Sequence, residues 1–259
     1  MIDIHTHILP GLDDGADSMT TALAMARAAA AEGITDIIAT PHHENGSYRN
    51  PASDIQLAIW NFQSELHTEG IPVTLHAGQE VRVHDDLLRA WDRRELLTLA
   101  GTSYMLIEMP GHEMPAKMRE TVRGLVDLGI RPVIAHPERN RSIRDNPRLL
   151  SELVFLGAIA QVTTHSLLGD FGDRIKRTAW SLCRAGLIHI VSSDAHHVKR
   201  RAFSLSQAFH AISDQLGPGW SEYYQNNAAA LLANEAMPTN PTMVKDSNLI
   251  NKITRMFRH

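Results

Sequence analysis

The amino-acid sequence predicts an α/β fold, a barrel of seven β/α cycles, over most of its 259 residues. Short apolar runs alternate with helix-like segments, as expected of parallel strands that are buried on both faces. The seven predicted β/α cycles contain no two-residue hairpin signal, which favours a barrel over an open sheet with an antiparallel edge. Metal-binding types of residue follow the strands, where the active sites of such barrels form.

The predicted strands are short apolar runs, and the predicted helices lie between them. The strands are Ile2–His7, Asp36–Thr40, Val73–Glu80, Tyr104–Met109, Pro132–His136, Ile159–Thr163 and Ile188–Ser192. The helices are Ser18–Ala31, Ser53–Thr68, Asp85–Arg94, Ala116–Leu128, Asn146–Phe155, Asp173–Ala185 and Ser204–Gln215. Several helices start with Ser, Asp or Asn, which cap helix N-termini, and several end near a glycine that suits a C-cap.

Composition excludes several classes of protein. The formal net charge of −4 and the aromatic content of 5% give no basis for nucleic-acid binding through a basic surface or a stacking platform. One cysteine allows neither an internal disulfide nor a thiolate metal cluster. We see no signal peptide and no apolar run near the ~20 residues of a membrane helix. A cytoplasmic protein is therefore expected.

The opening residues carry the most informative motif. His5 and His7 are separated by one residue in a predicted strand, so both side chains point to the same face. Four more clusters of metal-ligand types each end an apolar run further along the chain. They are Thr40-Pro41-His42-His43, Gly78-Gln79-Glu80, His136-Pro137-Glu138-Arg139 and Ser193-Asp194-Ala195-His196. Five such clusters at equivalent places in the β/α cycle predict a multinuclear metal site.

The residue types indicate the chemistry of that site. Imidazoles and carboxylates without thiolate suit manganese, iron, zinc or cobalt, and a carboxylate such as Glu80 can bridge two cations. Two or three cations can neutralise a phosphoryl group and lower the pKa of a bound water towards ~7, which makes hydroxide available at neutral pH. Arg139, three residues after His136, is placed to hold phosphoryl oxygens. Cys183 is rejected as a phosphatase nucleophile, because position 189, where thiol phosphatases need arginine, is His189.

Together these motifs resemble the PHP (polymerase and histidinol phosphatase) superfamily. The segment Asp3–Ala16 is similar to the opening of the CpsB-type bacterial protein-tyrosine phosphatases of capsule and exopolysaccharide clusters. The resemblance also includes Ser166–Gly169 and runs from Met1 to about Leu232. It implies a distorted (β/α)7 barrel of the PHP type, similar to a TIM barrel, with a trinuclear centre, commonly of manganese. His165 departs from the pattern, which expects a small residue before Ser166.

The resemblance also implies a ligand set. The first ion would be held by His5, His7, Glu80 and Asp194, the second by Glu80, Glu108 and His136, and the third by Asp14, His42 and His196. Arg139 and Arg201 match family arginines that bind phosphate or substrate. The implied substrate is the tyrosine-phosphorylated tail of a bacterial tyrosine kinase that controls polysaccharide synthesis.

Alternatives remain open at this point. The protein could be a small-molecule PHP phosphoesterase such as a histidinol-phosphate phosphatase, or a regulatory binding protein with a degenerate centre. Asp14 also reads as a plain turn residue, Arg139 as a surface partner of Glu138 or Asp145, and Arg201 as part of a solvated basic run.

Pro238–Pro241 separates a predicted barrel domain of residues 1–237 from a tail of residues 238–259. The apolar residues of Met243–His259 recur at helical spacing between basic ones. Packing on the barrel or on another subunit, or disorder, is the favoured interpretation of this tail. A short amphipathic helix that contacts a membrane surface or the kinase is the alternative.

Overall fold

The computed structural model describes residues 1–238 and 240–241, so the alternative of a tail helix within Met243–His259 lies outside the described residues. Within the described part, the strands are β1 (Ile2–Thr6), β2 (Asp36–Ala39), β3 (His42–His43), β4 (Thr74–Ala77), β5 (Glu80–Arg82), β6 (Tyr104–Glu108), β7 (Arg131–Ala135), β8 (Ile159–Thr163) and β9 (Ile190–Ser192). The helices are α1 (Met19–Ala31), α2 (Ala52–Thr68), α3 (Leu87–Asp92), α4 (Met118–Asp127), α5 (Arg141–Asp145), α6 (Arg148–Phe155), α7 (Thr164–Leu168), α8 (Asp173–Arg184), α9 (Leu205–Leu216) and α10 (Pro218–Leu232).

The strands pair in parallel throughout. One sheet has the order β1-β2-β4, and the other has the order β3-β5-β6-β7-β8-β9. Since β3 follows β2 and β5 follows β4 after only two residues, each of these pairs is one interrupted barrel strand. A parallel bridge between Thr6 and Ala195 joins β1 to the chain after β9. Seven barrel strands result, and the predicted distorted (β/α)7 barrel is confirmed.

Two strand predictions need correction. Val73–Glu80 is not continuous, because the chain leaves regular pairing at Gly78 and Gln79 and resumes as β5. A Cβ atom on Gly78 would lie 2.7 Å from Ile38 Cγ2, so only glycine fits this close approach. The second predicted strand likewise resumes as β3 after Thr40 and Pro41. The sequence also did not predict α5, α7 or α10.

Helix and strand burial follows the predicted periodicity. Ser18 caps α1, since its side chain accepts a hydrogen bond from the Thr21 backbone N–H. On α2, Ile55, Phe62 and Leu66 are buried at helical spacing. They belong to a large apolar cluster between helices and strands, and a smaller cluster joins strand residues to Leu231 of α10. Burial of these side chains is the main source of stability.

Candidate metal centre

Nine of the predicted site residues gather at the C-terminal ends of the strands, the face here termed the barrel mouth. They are His5, His7, Asp14, His42, Glu80, Glu108, His136, Asp194 and His196, here termed the nine-residue cluster. Strand pairing accounts for part of this arrangement, because His42 is the register partner of Glu80. Glu108 ends β6, and His136 directly follows β7. The barrel fold therefore brings together residues that are far apart in the sequence.

Glu80 lies at the middle of this cluster and is fully buried. Its Oε1 lies 2.9 Å from His136 Nε2 and 3.4 Å from His5 Nε2. Its Oε2 lies 2.8 Å from His42 Nδ1 and 3.4 Å from His7 Nε2. A carboxylate with imidazoles on both oxygens has the arrangement expected of a ligand that bridges two cations.

Asp194 faces two kinds of partner. Its Oδ1 lies 3.4 Å from His5 Nε2 and 3.2 Å from His7 Nε2. Its Oδ2 lies 2.7 Å from Arg139 Nη1 and 2.7 Å from Arg201 Nη2. Asp194 thus lies between the histidines and the two arginines, and the alternative surface roles for these arginines do not fit these contacts. Asp145 instead pairs with Arg174.

The residues implied as ligands of the third ion lie nearer to solvent than Glu80 and Asp194. Asp14 Oδ1 is 3.4 Å from His196 Nε2 and 3.5 Å from His42 Nε2. Together with His7, these residues can offer ligand atoms within 4.8 Å of one another. Asp14 is half-exposed and does more than close a turn, because its carboxylate points towards two imidazoles.

Glu108 makes the longest contacts in the cluster. Its carboxylate lies 3.8 Å from both His42 Nδ1 and His136 Nε2, and 2.8 Å from Arg82. Glu108 groups with His42 and Glu80, whereas His136 groups with His5 and Asp194. These sets overlap without matching the implied division into three ions, which stays a prediction.

The donor atoms fit a cluster of cations. Four buried ligand atoms face charged neighbours at 2.8 to 3.4 Å but form no well-aligned hydrogen bond; they are His42 Nδ1, Glu80 Oε2, Glu108 Oε2 and His196 Nε2. Buried polar atoms are rarely left without a well-formed hydrogen bond unless another group completes them. Imidazole nitrogen and carboxylate oxygen suit divalent transition cations.

Hydrogen bonds behind the histidines orient them towards the centre. His7 Nδ1 lies 2.6 Å from Asp13 Oδ2, which also accepts the His42 backbone N–H. His5 Nδ1 lies 3.2 Å from Gln161 Oε1. In each case the Nδ1 proton is held by an acceptor, which leaves the Nε2 lone pair free to bind a cation.

A glycine allows the Asp13 loop to reach this position. Gly15 donates its backbone N–H to Asp13 Oδ1. A Cβ atom there would lie 1.9 Å from the carbonyl oxygen of His7, so any larger residue would displace the loop.

Backbone strain occurs at two members of the cluster. His136 has φ 30° and Asp194 has φ 55°, both in the left-handed region that non-glycine residues rarely adopt. Such conformations cost about 1–3 kcal/mol each and tend to persist where a functional geometry is enforced. In these conformations the His136 side chain reaches Glu80, and the Asp194 side chain reaches His5 and His7.

Burial and neighbouring charges together set the pKa values of Asp194, Glu80 and His196. Burial raises the pKa of Asp194, but Arg139 and His5 outweigh it and hold that pKa well below its ordinary value. Burial acts likewise on Glu80, and the neighbouring imidazoles of His5 and His42 again lower the pKa well below its ordinary value. Burial and the nearby His7 lower the pKa of His196 to about 4. Ionised carboxylates and a neutral imidazole are the forms in which these groups bind metals.

Several residues of the site were not predicted from the sequence. Asp13 was part of the opening motif but was given no role, and Arg82 and Phe171 carried no signal. Gln161 could have been found, because it is a polar residue in the middle of the apolar strand β8 and is fully buried. A buried polar side chain in a strand usually has a partner that requires it.

Fold and site together define a parallel-stranded α/β barrel protein with groups of metal-ligating residues at its mouth. Residues 1–233 match the family described as "Capsular polysaccharide synthesis, CpsB/CapC". The chain therefore belongs to the CpsB/CapC family, and the predicted family membership is confirmed.

Known relatives agree with this assignment. The chain is 43% identical to tyrosine-protein phosphatase YwqE of Bacillus subtilis (strain 168) over 241 residues, which cover 93% of this chain and 95% of that protein. It is 28% identical to tyrosine-protein phosphatase CpsB of Streptococcus pneumoniae over 222 residues, which cover 84% and 91% of the two chains. A solved structure described as one of "unique metal-dependent tyrosine phosphatases", YwqE and CpsB, matches with a TM-score of 0.90 at 43% identity, over 93% of this chain and 98% of that chain.

Proposed function

We propose that this protein is a metal-dependent protein-tyrosine phosphatase that acts in capsular or exopolysaccharide synthesis. The observation that carries the proposal is the position of Asp194, which contacts buried histidines through Oδ1 and two arginines through Oδ2. A phosphoryl group at this boundary would meet cations on one side and guanidinium groups on the other. The similarity to YwqE and CpsB supports the same reaction.

Arg139 and Arg201 are proposed to bind and orient the phosphoryl group. Arg139 and Arg201 each present a guanidinium group, which forms strong charge-assisted hydrogen bonds to phosphoryl oxygens. Both arginines are partly exposed, whereas Asp194 is buried, so the arginines form the side that an incoming substrate meets. Asp194 holds both guanidinium groups in place until substrate arrives.

Bound cations would neutralise phosphoryl oxygens and lower the pKa of a water molecule. The nine-residue cluster is proposed to hold up to three of them. The nitrogen and oxygen donor set and the family resemblance favour Mn²⁺, with iron, zinc and cobalt as alternatives.

Hydrolysis is proposed to proceed without a phosphoenzyme. Cys183 is fully buried, and burial raises the pKa of its thiol to about 12, so it is not available as a thiolate nucleophile. We expect Cys183→Ser to keep near-normal kcat in a phosphate-release assay. A folded, metal-loaded Cys183→Ser protein without activity would contradict direct hydrolysis.

The proposed substrate is the tyrosine-phosphorylated tail of a bacterial tyrosine kinase, met in the cytoplasm by the barrel of residues 1–237. None of the described helices is long and apolar enough to cross a membrane. Phenolate is a better leaving group than a serine alkoxide because the phenol pKa is ~10. A site that relies on cations and arginines therefore favours aryl phosphates.

A substrate comparison tests the proposal. We expect much higher kcat/KM for a phosphotyrosine peptide than for the matched phosphoserine peptide or for histidinol phosphate, each with the metal-loaded protein. A preference for histidinol phosphate would instead support a small-molecule phosphoesterase. Binding of phosphotyrosine peptide without turnover would support a regulatory protein with a degenerate centre.

A further inference from the structure

His165 lies beside the proposed phosphate site without belonging to the nine-residue cluster. It is the second residue of α7, directly after β8, and is 3% exposed. Its Nδ1 lies 2.8 Å from Asp170 Oδ2, and its Nε2 lies 2.8 Å from the carbonyl oxygen of Ala202. Both partners are acceptors, and each ring nitrogen lies within hydrogen-bond distance of one of them. The ring thus ties two separate loops to α7.

The first loop carries Arg201. The carbonyl of Arg201 accepts the backbone N–H of His196 at 2.9 Å, and the carbonyl of Phe203 accepts the Thr164 hydroxyl at 2.9 Å. Between them, the carbonyl of Ala202 is held by His165. Three consecutive carbonyls are therefore fixed, and the first of them belongs to the arginine that contacts Asp194.

The second loop carries the aromatic support of Arg139. The guanidinium carbon of Arg139 lies 4.3 Å from the ring centroid of Phe171, which is a cation–π arrangement. The Phe171 ring meets the His165 ring edge-on, with centroids 5.8 Å apart. The preceding turn folds onto the same residue, because the Gly169 and Asp170 backbone N–H groups donate to the His165 carbonyl.

We propose that His165 is a positioning residue that sets the spacing between Arg139 and Arg201. It acts on Arg201 through Ala202 and on Arg139 through Phe171. The two guanidinium groups are thereby held at the separation needed to bind one phosphoryl group together. This inference rests on the proposed phosphate-binding role of both arginines.

The first test uses His165→Gln in the full, metal-loaded chain. We expect the inhibition constant of inorganic phosphate and the KM for a phosphotyrosine peptide to rise about tenfold, as for loss of one charge-assisted hydrogen bond. The kcat should stay within about twofold and the metal content should not change. His67→Gln, an exposed histidine on α2, is the matched control and should behave as wild type.

A double-mutant cycle separates positioning from general damage. In an Arg139→Ala/Arg201→Ala background, His165→Gln should have no further effect on phosphate inhibition. An equal effect in both backgrounds, or wild-type inhibition in His165→Gln itself, would overturn the inference. If wild type shows neither turnover nor phosphate inhibition, the proposed function fails instead.

A second variant covers the case in which His165→Gln does not fold. Asp170 is exposed, so Asp170→Ala removes one partner of the ring while the buried histidine remains. We expect a smaller rise in the phosphate inhibition constant with unchanged metal content. Wild-type inhibition in Asp170→Ala would then reject the positioning role.

Discussion

The barrel mouth and the helix-packed core are built on opposite physical principles. At the mouth, Glu80 and Asp194 are buried charges that face imidazole and guanidinium groups. In the core, residues such as Phe62 and Leu66 are equally buried, but only apolar surface is removed from water. Burying charge costs free energy, whereas burying apolar surface provides it. The core therefore stabilises a mouth that is organised for binding rather than for stability.

This comparison predicts that the two regions respond differently to substitution. Changes at the mouth should remove metal and activity first, and changes in the core should remove stability first. If every variant lost metal, activity and stability together, the mouth and the core would not be separable in this way.

The largest effect is expected for the cluster itself. Asp194→Asn and His136→Ala should each lower kcat by about 10²–10⁴-fold, since the loss of one ligand displaces a cation and its stabilisation of the transition state. Metal analysis should show a matching loss of bound cation. Glu69 is an exposed residue at the C-terminal end of α2, and the control variant Glu69→Gln should leave kcat and metal content unchanged. Full activity in either ligand variant would remove that residue from the site.

Phe62→Ala tests the other region. Removal of this fully buried ring from α2 should lower the free energy of unfolding by about 3–5 kcal/mol through lost burial and a cavity. Urea unfolding measures the loss, and kcat should remain near wild type at a temperature where the protein is folded. A strong fall in kcat of the folded variant would show that core and mouth are coupled.

Arg139→Ala should have an intermediate effect at the boundary between protein and substrate. We expect roughly a 10–100-fold fall in kcat/KM, mostly through KM if the arginine binds ground state and transition state alike. Arg141→Ala, an exposed neighbour, is the control. Unchanged kinetics in Arg139→Ala would delete it from the proposed site.

The smallest effect concerns pH and a histidine outside the cluster. Burial lowers the pKa of His189 to about 4, and its Nδ1 accepts the Ala160 backbone N–H. The unfolded chain, with an ordinary pKa of 6.5, binds more protons between pH 6.5 and 4, so stability falls as pH drops through that window. The free energy of unfolding should therefore be about 2 kcal/mol lower at pH 5 than at pH 7.

His189→Asn checks this prediction, because its amide oxygen can accept the same hydrogen bond without titrating. Urea unfolding of chelated protein at pH 7 and pH 5 should show a smaller difference for the variant than for wild type. Equal differences would assign the acid sensitivity to other groups.

The sequence predicted which metal-ligand types of residue gather at the barrel mouth, because strand periodicity and strand order suffice for that. His5 and His7 share a strand face through a two-residue period, and strand ends converge in any parallel barrel. The same reasoning could not predict that Phe171 supports Arg139 or that Asp13 orients His7. Those contacts depend on loop paths that tertiary packing sets. The need for glycine at position 78 has the same origin, since a Cβ atom there would meet Ile38 on a neighbouring strand.

Phosphotyrosine hydrolysis by this protein is proposed to depend on cations held by the nine-residue cluster. The most direct measurement is phosphate release from a phosphotyrosine peptide by one preparation, before chelation, after exhaustive chelation and after Mn²⁺ is returned, with metal content measured at each stage. We predict more than one equivalent of transition metal at the start, loss of activity with the metal, and recovery on addition of Mn²⁺. Undiminished hydrolysis by the metal-free protein would contradict the claim.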